Sequence, residues 1–243
     1  MNCENKIQEI EQKFNRNIVE IYALLNNRTL QTAKKGCNLT ESGVYEIYPF
    51  DNETLVSGYC DMEIDGGGWT AIQKRVNISV NFNRTWADYK NGFGNPDDSY
   101  WIGNDVIHQL TKRESSSLYV SITLQNGTTL YELYQQFSIN DEIDNYRLFL
   151  GGTASGTLGD RMLNTGDSDK DLSGMNFSKP DKDNDRNSED NCAAYGGGGW
   201  WFNWCTYAFL NGQWSPARYS VPWYPTVGKG KYVKGTLMLI RRH

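Results

Sequence analysis

An α+β architecture, one domain of mixed strands and short helices behind a helical stem, is what this sequence predicts, and three observations predict it. Short runs of apolar alternation recur between residues 43 and 150 and return at 235–240. Residues 86–93 and 104–112 carry helical spacing instead. A polar N-terminal segment sets apolar residues three and four apart, with no Gly or Pro before Gly36. The 243 residues, 13% of them aromatic, suffice to bury a core and are unlike a disordered chain. No apolar run approaches the roughly 20 residues of a membrane span. A net charge of −5 offers no basic field for a phosphate backbone, so no nucleic-acid partner and no membrane insertion are expected. His108 and His243 are the two histidines, which argues against a His-based metal centre or a Ser-His-Asp triad. No paired carboxylates or activated nucleophile stand out, so the chain is not expected to be an enzyme.

The stem comes first. Ile7, Ile10, Phe14, Asn17, Ile21 and Leu24 fall on a and d positions of about three heptads. A short coiled coil is preferred over an amphipathic helix folded onto its own domain. Cys3 then joins neighbouring chains covalently and makes a homo-oligomer, with Asn17 fixing register. The division expected is 1–33 for the oligomerisation helix and linker, and 34–243 for the globular domain.

Strands are expected at 43–48, 55–62 and 69–75, the last following the Gly66-Gly67-Gly68 turn. A hairpin of 118–124 with 129–137 turns on Asn126-Gly127. Residues 146–150 make a further strand, and 235–240 returns to the central sheet. Regularity fades over 151–230, which is rich in Gly, Asn, Asp, Ser and Trp. So long a loop-rich stretch needs a staple, a metal or a function.

Compartment is read from cysteines and sequons. Cys3, Cys37, Cys60, Cys192 and Cys205 fit either five reduced thiols or two internal bridges plus one interchain bond. The Asn-X-Ser/Thr pattern decides for the second. It occurs at Asn27, Asn38, Asn52, Asn77, Asn83, Asn126 and Asn176, which suits a secreted, extracellular glycoprotein. Met1-Asn2-Cys3-Glu4 has no apolar leader, so Met1 is read as the start of a chain that has lost one.

Two signals carry chemistry. Nine acids and five bases lie between Asp160 and Asp190, centred on Asp181-Lys182-Asp183-Asn184-Asp185. Closely spaced oxygen donors in a turn suit Ca²⁺. An EF-hand is excluded, because Arg186 stands where that loop needs Gly and Cys192 where it needs Glu. The bland alternative is a solvated acidic loop. Next, Cys192 and Cys205 are spaced to close a short loop around four glycines and Trp200-Trp201, and eleven of the thirty residues from 195 to 224 are aromatic. Such a face reads as a recognition surface. Trp200 and Trp201 themselves are read as core.

Several motifs resemble a known family. They are Cys60-Asp61-Met62-Glu63 with Asp65-Gly66-Gly67-Gly68-Trp69-Thr70, then Trp86, Asp88-Tyr89-Lys90 and Gly92-Phe93-Gly94. Tyr100-Trp101-Ile102-Gly103-Asn104-Asp105, Asp183-Asn184-Asp185, Asn191-Cys192-Ala193, Gly199-Trp200-Trp201, Leu210-Asn211-Gly212 and the closing Ile240-Arg241 follow in order. From Cys37 to Arg241 the chain resembles the fibrinogen C-terminal domain. The resemblance implies a three-part fold: a disulfide-closed unit, a twisted, mainly antiparallel sheet, and a loop-rich C-terminal part with calcium and a ligand pocket. It implies bridges Cys37–Cys60 and Cys192–Cys205. It assigns Ca²⁺ to the Asp183 and Asp185 side chains plus two carbonyls. Counting from the Asp pair makes these Asn187 and Glu189; counting back from Cys192 makes them Ser188 and Asp190.

The pocket by the same resemblance is lined by Tyr195, Trp204, Cys205, Thr206 and Tyr219, with Trp214 a further wall. Acetyl-binding members place His where this chain has Thr206, and often join the two residues before it by a cis peptide, here Trp204–Cys205. The expected function is calcium-dependent recognition of glycans or acetylated groups on microbial or cell surfaces, an innate-immune lectin. The alternative is a receptor- or protein-binding module of angiopoietin-like or fibrinogen-like type; a structural polymer part ranks third.

Overall fold

The computed structural model describes residues 14, 17, 18, 37, 39–50, 54–213, 223–228 and 233–243. Of the stem, Phe14, Asn17 and Ile18 are helical; the rest of the coiled-coil reading, Cys3, Asn27, Asn38 and Asn52 lie outside the described residues.

A nine-stranded sheet organises the domain, and every pairing in it is antiparallel. Its strands are β1 (Gly43–Ile47), β2 (Val56–Asp61), β3 (Trp69–Arg75), β4 (Phe93–Gly94), β5 (Tyr100–Trp101), β6 (Ser116–Leu124), β7 (Thr129–Ile139), β8 (Leu148–Gly156) and β9 (Val233–Arg242). The main path runs β1-β2-β3-β9-β6-β7-β8, with β5 pairing β3 and β4. The last strand therefore does return to the centre, between β3 and β6. The helices are α1 (Trp86–Asn91), α2 (Asn104–Thr111) and α3 (Cys192–Gly196). Thr85 and Asp88 form a reciprocal capping box that fixes the start of α1.

One strand differs from expectation. β8 begins at Leu148, two residues after the alternation starts, and runs on to Gly156. Asn145 and Tyr146 both take φ of +50°, which no strand residue can hold. That turn sends the Tyr146 hydroxyl to donate to Asp105 Oδ1 at 2.6 Å, so burial of the ring overrides its strand propensity.

The loop-rich part is bound to the sheet through an aromatic core. Trp200 and Trp201 are fully buried, as expected. The Trp201 ring meets Phe177 at 5.2 Å, Trp101 at 6.2 Å and Phe137 at 6.5 Å, and its indole N–H donates to Tyr146 O at 2.8 Å. Arg75 of β3 reaches across to donate to Leu210 O and Gly212 O at 2.8 and 2.7 Å. The glycines before Trp200 serve this packing: a Cβ on Gly196 would lie 2.2 Å from the Phe209 ring, and one on Gly198 2.3 Å from Asn211 O. Both bridges form, Cys37–Cys60 and Cys192–Cys205.

One buried residue strains the balance. Lys179 is 1% exposed, its Nζ lies 5.5 Å from the Tyr89 ring centre, and it donates one long bond, 3.4 Å, to Asn83 Oδ1. Burial pulls its ammonium down to about 8, against the partial opposition of Asp181 and Asp88. Below pH 8 the folded and unfolded states both carry the charge and the burial cost is present in full. Above it the folded state binds fewer protons than the unfolded state, so stability from this residue rises until about pH 10.5. Lys179→Met is therefore expected to stabilise the domain by about 1–3 kcal/mol at pH 7. Urea titrations at pH 7 and pH 10 check it: the gain shrinks at the higher pH.

Candidate functional site

The acidic loop is built from side chains that accept backbone N–H groups. Asp183 Oδ1 accepts Asp185 N at 3.3 Å, Asp185 Oδ1 accepts Asn187 N at 2.8 Å, and Asn187 Oδ1 accepts Glu189 N at 3.1 Å. Such turns suit Asp and Asn at alternate positions. Asp185 Oδ2 also accepts Cys192 N at 2.9 Å, which ties the loop to the start of α3. Asn191 caps that helix by accepting Ala194 N. The loop lies against the segment after the glycines: Ser178 and Trp200 exchange backbone bonds, and Arg186 N donates to Asn203 O at 3.1 Å.

Two carboxylates meet here. Asp185 is half-buried and Asp183 exposed. Burial pushes the Asp185 carboxyl up to about 6; the N–H groups of Cys192 and Asn187 oppose this, and the negative Asp183 adds to it. A cation beside the pair would offset both burial and repulsion, so these two side chains fit a hard, oxygen-liganded ion such as Ca²⁺. Asn187 Oδ1 accepts Glu189 N and the Glu189 side chain is exposed; the carbonyls of these two residues are the ones that counting from the Asp pair offers. Among the described residues no three His, Cys, Asp or Glu side chains gather as a metal site, which leaves the Asp pair as the anionic part.

The bridge from Cys192 to Cys205 brings α3 beside the segment carrying Trp204 and Thr206. Tyr195, on α3, is exposed and donates through its hydroxyl to Asp190 Oδ1 at 2.7 Å. Trp204 is 51% exposed. Lys170 Nζ lies 4.6 Å over its ring and also donates to its carbonyl, while Trp204 N donates to Asp169 O at 3.1 Å. The expected cis bond is absent: the Trp204–Cys205 peptide is trans, and the cis peptide of the described residues is Tyr224–Pro225. The chain instead reverses through Cys205, whose φ is +56°, with Asn203 N donating to Cys205 O. The Thr206 hydroxyl is closed on its own turn, donating to Ala208 O and accepting Ala208 N, both at 2.9 Å. Tyr219 and Trp214 lie outside the described residues.

Three contributors to this face were not singled out from the sequence. Tyr207 donates to Asp167 Oδ2 at 3.2 Å and lies 5.8 Å from the Tyr224 ring, itself 52% exposed. Aromatic density over 195–224 pointed to both tyrosines, but nothing local marks Lys170, which arrives from 34 residues before Trp204. The result is a surface of exposed rings rimmed by carboxylates. Two open hollows among the described residues lie elsewhere, about 370 Å³ beside Lys179 and about 390 Å³ beside Cys37.

Residues 28–242 match the family model of the fibrinogen beta and gamma chains, C-terminal globular domain. Angiopoietin-4 of Bos taurus is 42% identical over 206 residues, 82% of this chain and 40% of that protein. Human fibroleukin is 44% identical over 178 residues, 73% of this chain and 40% of that protein. The chain thus spans about two-fifths of the length of these relatives. The fibrinogen-like globe domain of human ANGPTL6 superposes with a TM-score of 0.76 at 38% identity, over 85% of this chain and 91% of that one. A lamprey fibrin D-dimer solved with the peptide Gly-His-Arg-Pro-amide gives 0.74 at 28% identity, over 98% and 88%.

The Cys192–Cys205 bridge spans 13 residues and holds the aromatic face to the acidic loop. C192S/C205S is expected to cost about 3 kcal/mol by the chain-entropy model. Limited proteolysis is expected to cut first within residues 181–213, ahead of the sheet.

Proposed function

Because the chain belongs to the fibrinogen C-terminal globular-domain family, we propose that it is the protein-binding module of an extracellular protein, engaging its partner through the aromatic face around Trp204. The observation that carries this is the exposure of Tyr195, Trp204 and Tyr224 on one disulfide-closed, loop-rich end, while Trp200 and Trp201 are buried beneath. Exposed Trp and Tyr supply contact area at small entropic cost and are enriched at interface centres. Angiopoietin and fibroleukin relatives support a protein partner, and the lamprey D-dimer with its peptide ligand supports a peptide-binding use of the same fold. Two disulfides and the secreted character of these relatives support an extracellular setting.

Calcium-dependent glycan recognition, the first expectation from the sequence, takes second place. Acetyl-binding members use His at the position of Thr206, and here the Thr206 hydroxyl is spent on Ala208. Calcium itself stays in the proposal as a scaffold ion held by Asp183 and Asp185, with nearby carbonyls. It would fix the loop that anchors α3 and so the face. Clustering by the N-terminal segment and Cys3 would raise weak single-site binding to useful avidity.

Parallel arrays of extracellular protein domains and of glycans test the binding mode. Wild type is expected to bind a protein domain and no glycan, and Trp204→Ala to weaken that binding at least about tenfold, or roughly 1.4 kcal/mol. A glycan signal competed by free sugar would overturn this reading.

Calorimetry tests the ion. Calcium at about 100 times its Kd is expected to add about 2.7 kcal/mol of stability. Chelator should lower the Tm of wild type and leave D183N/D185N unmoved. Coincident melting curves of wild type in calcium and in chelator would remove the ion from the proposal.

A further inference from the structure

Two exposed apolar side chains flank one of the sequons. Val76 is 45% and Ile78 76% exposed, on either side of Asn77 in the bend that follows β3. The Asn77 side chain is exposed and already oriented. Its Nδ2 donates to Asp98 Oδ1 at 2.8 Å, and the hydroxyl of Ser79, the third residue of the sequon, donates to Asp98 Oδ2 at 2.9 Å. Ser79 N donates to Asn77 Oδ1 at 2.8 Å. A substituted amide keeps one N–H, so the bond to Asp98 survives attachment of a sugar at Nδ2.

The other described sequons provide the contrast. Asn83 and Asn126 are exposed, with Asn83 Oδ1 accepting from Lys179 and Asn126 Oδ1 accepting Thr128 N. Asn176 is half-buried between Met175 and Phe177, and its Oδ1 is sealed from water without a partner. Its hydroxyl residue, Ser178, is fully buried and donates to Asp183.

We propose that Asn77 carries an N-linked glycan whose first sugars cover Val76 and Ile78. This rests on the extracellular reading, since such glycans are added on the secretory route. In the step, Asn77 Nδ2 bonds to C1 of the first N-acetylglucosamine of a lipid-diphosphate oligosaccharide. The C1–O bond to that diphosphate breaks, and Nδ2 loses one proton. Sugar rings and the acetyl methyl group then cover apolar surface that otherwise favours self-association.

The test expresses the full chain behind a secretion leader in eukaryotic cells, so that occupancy is read whatever compartment the natural chain occupies. Release by peptide N-glycosidase F in heavy-oxygen water marks occupied asparagines for mass spectrometry. Asn77 is expected to be marked. Asn77→Gln and Ser79→Ala each remove the sequon and are expected to raise binding of the apolar-surface dye ANS and self-association on gel filtration. V76S/I78S in either background is expected to return both to the wild-type level. Enzymatic deglycosylation of folded wild type gives the same readout without a substitution. An unmarked Asn77, or a deglycosylated protein whose dye binding equals that of wild type, overturns the proposal. Fractionation of cells expressing the natural chain tests the compartment separately, and a cytosolic location would sink that reading alone.

Discussion

Every buried backbone N–H needs an acceptor, and among the described residues between β8 and β9 there is almost no ladder to provide one. Carboxylates of side chains take that place. Asp160 accepts Met162 N and Leu163 N through Oδ1 and Asn164 N through Oδ2, at 2.8–3.0 Å, and Tyr134 donates to it from the sheet. Asp171 accepts Thr165 N, Asp167 accepts Asp169 N, and Asp185 accepts both Asn187 N and Cys192 N. The concentration of Asp and Asn in this stretch is therefore first a substitute for β pairing. Charge comes with the acceptor, and most of the protein's excess negative charge gathers on this end as a result.

That origin joins fold to function. Carboxylates placed to hold turns cannot also move apart, so Asp183 and Asp185 stay close despite their mutual repulsion, and burial, with that repulsion adding to it, makes the Asp185 carboxyl resist ionisation. The proposed ion would be attracted to a site whose geometry the backbone has already fixed. The same turns present Asp167 and Asp169 to Tyr207 and Trp204, so the rim of the binding face and the frame of the loop are one set of residues. Weakening a turn would disturb the face, even where the substituted residue touches no partner.

Much of the sheet was legible because each strand carries its own alternation and its own turn residues. β3 follows the Gly66–Gly68 turn, and the β6–β7 hairpin closes on Asn126-Gly127. Tyr146 was misread because its fate is decided by Asp105, 41 residues away, and not by its neighbours. The acidic loop was legible as chemistry, since alternating oxygens are a local pattern. The face above it was legible in part. Tyr195, Trp204 and Thr206 come to it through resemblance and through the bridge of Cys192 to Cys205, whereas Lys170 reaches it by a contact with no trace in local spacing. The Trp204–Cys205 bond is trans, the ordinary state of a non-proline peptide, and the chain reverses there through a left-handed φ at Cys205, a backbone choice that residue identity does not reveal.

Trp200, Trp201 and Trp204 show how close in sequence core and surface lie. Composition treats them alike, yet the first two are sealed and the third is half in water. What separates them is backbone geometry on either side. Before Trp200, glycines let the backbone approach Phe209 and Asn211 so closely that the indoles must enter the core. After Phe202, the reversal at Cys205 and the fixed distance to Cys192 turn the next indole outward, where Lys170 lies over its ring. The buried pair holds the segment rigid, and rigidity is what lets an exposed ring contribute to binding without first being ordered by the partner. The exposure of Trp204 thus depends on two core residues beside it, and on the glycines that admit them.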